Sequence, residues 1–284
     1  MSLKKVLLTG AALAIICSGS SVWAQEDMPA DHGAPEGHAH SGEMPSVPVA
    51  DVAQEAMAHN THAEWNYGGE NGPAHWGALD EAYKLCAEGT MQSPINIAEF
   101  MQEDLPKLKI AYAPSPLMVV NNGHTIQVNY EPGSKFMSAD KIYDLKQIHF
   151  HTPSEHYMDG APYPMEMHLV HTTSEGDLAV IGVMMKVGMH NHALQKIWDH
   201  IPAGNAQVAP EGVNIKAAEL LPQNGTYYTY SGSLTTPPCS EGVKWHVLQQ
   251  PVEISRDQLV AFQAIYSMNA RPIQQMQGRV VKGS

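Results

Sequence analysis

Between Gln147 and His171 the chain reads Gln147-Ile148-His149-Phe150-His151, then a polar excursion, then Met165-Glu166-Met167-His168-Leu169-Val170-His171. Alternate side chains of a strand share a face, so Gln147, His149 and His151 lie on one face and Ile148 and Phe150 on the other. In the second run Glu166, His168 and Val170 share a face, opposite Met165, Met167 and Leu169. Asp159-Gly160 and Pro162-Tyr163-Pro164 supply turn chemistry between the runs. The two strands are therefore expected to return antiparallel and to set His168 beside His149 and His151.

Three neutral imidazoles at one point leave the fourth position of a tetrahedral zinc to water, the arrangement of a catalytic site. Gln147 and Glu166 share faces with these histidines, and each can accept the second ring N–H of a ligand, which fixes its tautomer and orientation. A lone His-x-His is a weak signal, because strand histidines are commonly half buried. Three inward imidazoles with an acceptor on each strand are harder to explain without a metal.

The chain has 284 residues, enough for one substantial core, and a formal charge of −13. That charge argues against nucleic acid or an anionic membrane as partner, since both demand a basic surface. The N-terminus reads as a secretory signal: Lys4-Lys5, an apolar run from Val6 to Ile16, then Val22-Trp23-Ala24 before Gln25. Cleavage is expected after Ala24, which removes two lysines and no acids and takes the charge from −13 to −15. The apolar run is too short to span a bilayer, so no membrane insertion is expected after cleavage. A lipoprotein reading would use Cys17, but bulky Ile16 precedes it. Loss of Cys17 leaves Cys86 and Cys239 in an exported chain, periplasmic or secreted, where two cysteines suggest one disulfide. Closing so long a loop would stabilise the fold by roughly 3 to 5 kcal/mol through the unfolded chain.

Residues 25–63 are rich in Pro, Gly, Ala, Glu and His and show no apolar period. They read as a flexible, acidic arm carrying His32, His38, His40, His59 and His62; a solvated linker is the plainer reading and zinc gathering the alternative. Residues 64–284 show no linker and read as one domain. Short β-type runs recur at Lys109–Tyr112, Met118–Val120, Thr125–Tyr130, Gln147–Phe150, Met165–His171, Ala179–Val187, Tyr227–Tyr230 and Lys244–Val247, separated by turn residues. Helical spacing appears in Leu194, Ile197, Trp198 and Ile201, and again in Leu259, Phe262, Ile265 and Tyr266, the second opened by a capping box of Ser255 and Gln258. The class is mainly β (α+β), with helices on the outside of a large sheet.

Further motifs follow in order: Asn71-Gly72-Pro73 with His75-Trp76, Gln92-Ser93-Pro94-Ile95-Asn96-Ile97, Asn121-Asn122-Gly123-His124, Ser154-Glu155-His156, Leu234-Thr235-Thr236-Pro237-Pro238-Cys239, and Asn269 to Pro272. With the two histidine runs, they resemble the α-class carbonic anhydrases, of the exported bacterial type, from about Trp65 to Val281. The resemblance implies a mostly antiparallel twisted sheet with one Zn2+ at the bottom of a conical cleft. It implies His149, His151 and His168 as zinc ligands, Gln147 and Glu166 as acceptors for His149 and His168, and the carbonyl of Asn269 as the group orienting the third ligand. His171, on the opposite strand face, reads as structural.

The implied activity is reversible hydration of carbon dioxide to bicarbonate and a proton by a zinc-bound hydroxide. By position, Thr235 accepts the hydroxide's hydrogen bond and passes its own hydrogen to Glu155. Val170, Val180, Leu234, Val243 and Trp245 match the apolar substrate wall, with Thr236 beside them. Each of those alone is better explained as core. His124 falls where the proton shuttle sits, and an imidazole near its free pKa of about 6.5 can carry a proton either way. Tyr67, Asn122 and Thr236 match the water path. Cys86 and Cys239 sit where exported relatives place their disulfide. The excursion between the ligand strands is shorter than in the longer animal enzymes, which implies a more open cleft. Against this stand an inert binding domain on the same fold, zinc storage centred on the arm, and ester hydrolysis as a side activity. A homodimer is compatible with the sequence.

Overall fold

The computed structural model describes residues 62–139 and 141–284. The signal segment and nearly all of the arm, with Cys17, His32, His38, His40 and His59, lie outside the described residues. His62 and Ala63, the last two residues assigned to the arm, are tied down: His62 Nδ1 lies 3.1 Å from Asp80 Oδ2, and the Ala63 N–H donates to the same oxygen at 3.1 Å.

Twelve strands make one sheet. Its main path runs Ala206–Val208, Met118–Asn121, Ile126–Asn129, Lys141–His151, Met165–Thr172, Leu178–Val187, Glu241–Ile254, Tyr227–Ser233, Lys282–Gly283 and Met101–Gln102. Lys135–Ser138 pairs with the start of Lys141–His151 and carries Lys109–Ala111 on its other side. The sheet is mostly antiparallel, as expected. Two neighbours run parallel: Leu178–Val187 with Glu241–Ile254, and Lys282–Gly283 with Met101–Gln102. Parallel neighbours need a crossover, and the chain between Val187 and Glu241 supplies it with a helix and the strand Tyr227–Ser233.

Glu241–Ile254 is longer than the expected Lys244–Val247 because it runs through Pro251. Its register against Leu178–Val187 jumps from Val183↔Leu248 to Met185↔Val252, so the proline sits in the irregular step where no ladder hydrogen bond is required.

One face of the central strands is apolar and fully covered. Ile148, Phe150, Met165, Met167, Leu169, Ile181 and Val183 are all inaccessible to solvent, and each such side chain stabilises the fold by roughly 1.5 to 3 kcal/mol relative to exposure. Helices His192–Trp198 and Arg256–Gln263 cover part of this face. Asn191 caps the first by accepting the Leu194 N–H at 3.0 Å, and Ser255 with Gln258 closes the capping box of the second. Trp198 packs edge-on against Phe150 at 4.8 Å and donates its indole N–H to the Gln258 carbonyl at 2.8 Å, joining the helices. Both helices stop earlier than their apolar spacing suggests. Ile201 precedes Pro202, which disfavours helical backbone, and Ile265 is exposed beyond the cap at Ala264.

His171 lies on this covered face, as its strand position requires. Its Nε2 is 2.7 Å from the Tyr112 hydroxyl, and its ring meets Phe136 at 4.5 Å. His246 lies 5.6 Å from Phe136, with neither ring nitrogen hydrogen-bonded. Burial pushes both imidazoles down to about 3. The folded state therefore refuses protons that the unfolded chain takes up near pH 6.5, so this contribution is complete above pH 6.5 and is lost as pH falls toward 3. Between pH 7 and 5 the unfolding free energy is expected to drop by about 2 kcal/mol for each histidine. Denaturant titrations at the two pH values check this, and His246→Leu is expected to flatten the dependence.

Candidate metal centre and active site

Antiparallel pairing sets His168 directly opposite His149 and Glu166 opposite His151. The outer nitrogen of each ring meets an acceptor. His149 Nδ1 donates to Gln147 Oε1 at 2.8 Å, His151 Nδ1 to the Asn269 carbonyl at 2.7 Å, and His168 Nε2 to Glu166 Oε1 at 2.8 Å. An amide oxygen, a carbonyl and a carboxylate have no hydrogen to give, so each neutral ring keeps its proton outside and turns a lone pair inward.

The three inner nitrogens lie within 4.8 Å of one another. His149 Nε2 and His168 Nδ1 face each other at 3.3 Å, and His151 Nε2 is buried with no partner. Facing lone pairs and an orphaned buried acceptor are costly unless a cation fills the space between them. An all-imidazole donor set suits zinc. The residues fit the metal.

A second cluster, His156, Glu166 and His168, is a hydrogen-bond network rather than a second ligand set. Glu166 Oε1 takes N–H groups from His156 Nδ1 and His168 Nε2, both at 2.8 Å, while Oε2 takes the backbone N–H groups of Glu155 at 2.9 Å and His156 at 2.8 Å. Four donors on one buried carboxylate explain how its charge survives without solvent. Beyond it, His156 Nε2 accepts from the Tyr230 hydroxyl at 2.6 Å, which also meets Ser93 Oγ at 2.8 Å. Gly182, paired with His168, leaves room for Glu166: a Cβ there would lie 3.0 Å from its Oε1.

Electrostatics follow from these contacts. Burial, and then the neighbouring His151 and His168, hold His149 well below the ordinary histidine range. Burial also lowers His151 against the pull of Glu155. Burial works the same way on His168, but Glu166 and Glu155 outweigh it and the net direction is upward. For Glu166, burial pushes upward and is overcome by His156 and His168, so its carboxyl sits well below the usual range.

Glu155 is fully buried. Its Oε1 accepts the Arg271 N–H at 2.9 Å, and its Oε2 lies 3.9 Å from His168 Nδ1 with no hydrogen-bond partner. The Thr235-to-Glu155 hydrogen bond implied by the resemblance is thus not made, because Oε2 is turned toward the imidazole cluster. Thr235 itself is buried, in a loop held by the Cys239 N–H on the Thr236 carbonyl at 2.8 Å. Cys86 and Cys239 are joined, which anchors that loop to the segment carrying Trp76 and Tyr83.

Val180, Val243 and Trp245 form one buried apolar cluster, with Val170 and Leu234 packed against it. Trp245 meets the His168 ring at 4.9 Å, so this wall adjoins the metal centre. His124 lies in the turn after Met118–Asn121, half-buried, its ring stacked on Trp65 at 3.8 Å and 8°. Asn122 shapes that turn, and the buried Tyr67 hydroxyl has no partner. A groove of about 730 Å³ between the two helices, lined by Trp198, Ile201 and Ile265, contains none of the three imidazoles. Chemistry, not cleft size, locates the site.

Sequence reasoning gave no role to His156, Tyr230, Ser93, Trp65 or Gly182. Of these, His156 and Ser93 carried a signal, as members of the Ser154-Glu155-His156 and Gln92-Ser93-Pro94 motifs.

The geometry is that of a histidine-rich metal centre on an antiparallel sheet with an apolar wall at its side. The family profile for eukaryotic-type carbonic anhydrase matches residues 71–284. The chain is 44% identical over 223 residues to a carbonic anhydrase of Nostoc sp., covering 76% of this chain and 84% of that one. It is 42% identical over 237 residues to a carbonic anhydrase of Neisseria gonorrhoeae, covering 82% and 93%. The solved structure of the α-carbonic anhydrase of Thermovibrio ammonificans, in complex with the inhibitor sulfanilamide, superposes with a TM-score of 0.75 at 43% identity, covering 78% of this chain and 99% of that one. The chain belongs to the α-carbonic anhydrase family and is an enzyme of that family.

Glu166→Gln tests the acceptor network. An amide offers one acceptor oxygen and one donor nitrogen where the site supplies four donors, so zinc affinity is expected to fall about 10- to 100-fold. Competition with a chromophoric chelator measures it.

Proposed function

We propose that this enzyme interconverts carbon dioxide and water with bicarbonate and a proton, using one zinc ion held by His149, His151 and His168. The observation that carries this reading is the set of three inward lone pairs, each held by an acceptor on its outer nitrogen, beside an apolar wall. Zinc held there would act as a Lewis acid and bring the pKa of a water down to about 7, as it does in carbonic anhydrases as a class.

The chain's own residues do the rest. Carbon dioxide carries no charge to grip, so Val180, Val243, Trp245, Val170 and Leu234 receive it by excluding water. Glu155 Oε2 is an open acceptor inside the protein. For this reaction the Thr235 hydroxyl would have to give its hydrogen to that oxygen, a bond not made in the structure, and keep its own lone pairs for the reacting oxygen, which would align attack on the substrate. Thr236, the next residue in the chain, is assigned by the family motif to the same pocket. His124 carries the product proton outward past Tyr67 and Asn122. Burial holds His124 below the ordinary histidine range, so at neutral pH it is free to accept a proton and quick to release it. The secretory signal and the Cys86–Cys239 bond support export to the periplasm or beyond.

Carbon dioxide hydration by stopped flow on the chain lacking residues 1–24, with bound zinc counted, tests the reading. Fast turnover is expected from one zinc per chain, and His149→Ala is expected to lose both zinc and activity. A folded, zinc-loaded protein without hydration activity would replace this reading with binding or storage.

A further inference from the structure

The turn that carries His124 is shaped by its own residues. Asn122 Oδ1 accepts the N–H groups of His124 at 3.0 Å and Thr125 at 2.9 Å. Gly123 takes a φ of 88°, and a Cβ there would lie 2.9 Å from Asn205 Nδ2. Such an Asx turn sets local geometry but not where the turn sits relative to the imidazole cluster. Stacking of the ring on Trp65 leaves the ring free to slide in its plane.

Two side chains just beyond helix Arg256–Gln263 set that location. Asn269 Nδ2 donates to the carbonyls of His124 at 3.1 Å and Phe150 at 2.9 Å. The same residue takes the Thr152 N–H on Oδ1 at 2.8 Å and His151 Nδ1 on its backbone carbonyl at 2.7 Å. Asn269 thus ties the shuttle turn to the ligand strand. The Tyr266 hydroxyl donates to Asn121 Oδ1, the oxygen that also accepts the Gly123 N–H at 3.4 Å. The Tyr266 ring packs on the buried Phe262 at 5.9 Å, so its hydroxyl is held from the helix and not from the turn.

We propose that Tyr266 is a positioning residue for His124: its hydroxyl, acting through Asn121, fixes the distance over which the proton leaves the site. The inference rests on the reading of His124 as the shuttle. Bicarbonate is formed before the proton has to leave, so a misplaced shuttle slows kcat more than kcat/KM.

The test compares wild type, Tyr266→Phe, His124→Ala and the double variant in stopped-flow hydration, with and without imidazole buffer. Amide exchange over residues 121–125 is followed in zinc-loaded and zinc-depleted protein. Tyr266→Phe keeps the ring packing and removes one donor. It is expected to lower kcat about three- to tenfold, with less effect on kcat/KM, since small displacements of a reacting group are costly. Imidazole is expected to restore the loss, the double variant to be no slower than His124→Ala, and the turn amides to exchange faster with or without zinc. If His124→Ala is slow and rescued while Tyr266→Phe matches wild type, the inference falls and the shuttle stands. If Tyr266→Phe loses kcat and kcat/KM equally and imidazole does not help, its role is structural and the inference falls. If His124→Ala matches wild type, the shuttle reading falls and takes the inference with it.

Discussion

A neutral imidazole turns a lone pair toward a chosen point only when something outside takes its proton. In this enzyme three different acceptors do so: a side-chain amide on the same strand, a backbone carbonyl from a distant loop, and a buried carboxylate. The carboxylate is the most demanding, because a buried charge is tolerated only when its lone pairs are filled. The excursion between the ligand strands brings two backbone N–H groups and one imidazole to Glu166, and the neighbouring strand gives up a side chain at Gly182 to make room. Much of the local architecture exists to keep that one charge satisfied.

Histidines with opposite fates share these strands. His168 faces the centre and His171 the core, three residues later on the same strand. Within the core, His171 and His246 sit among Phe136, Tyr112 and Tyr227, and burial, helped by His246 beside His171 and by Lys244 beside His246, keeps them neutral. Around the centre, proximity of the rings to one another adds to burial, and Glu166 opposes both. What separates a structural imidazole from a candidate ligand is the partner of its outer nitrogen, which strand parity anticipates only for partners on the same strand.

That distinction sets how much was legible in the sequence. Gln147 and Glu166 stand two residues from the histidines they hold, so alternation found them. The capping box at Ser255 and Gln258 was readable for the same reason, as chemistry between near neighbours. Asn269 acts on His151 through its carbonyl, a group that every residue has, and only the family motif pointed to it. The strand Lys141–His151 was read as beginning at Gln147, because Ile142 is exposed and charged residues alternate with Tyr143 and Leu145 on a half-solvated pairing with Lys135–Ser138. The run expected at Lys244–Val247 continues to Ile254 because Pro251 falls in a register step. The Ser93–Tyr230–His156 chain joins residues so far apart that no local pattern could announce it.

The bond between Cys86 and Cys239 joins residues 153 apart and turns most of the domain into a closed loop. His124, His149, His151, Glu155, His168 and Thr235 all lie inside it, while Tyr266, Asn269 and Arg271 lie on the tail outside. A ring cut once is still a single connected object. One backbone break in an exposed turn such as Glu175-Gly176 would leave the candidate ligands on pieces that remain covalently joined, whereas a break between Cys239 and Tyr266 would release the tail that holds His151 and the His124 turn. The connection that lacks such a second path is therefore the stretch from Cys239 to Tyr266, and the strand Glu241–Ile254 and helix Arg256–Gln263 place nearly all of it in regular structure.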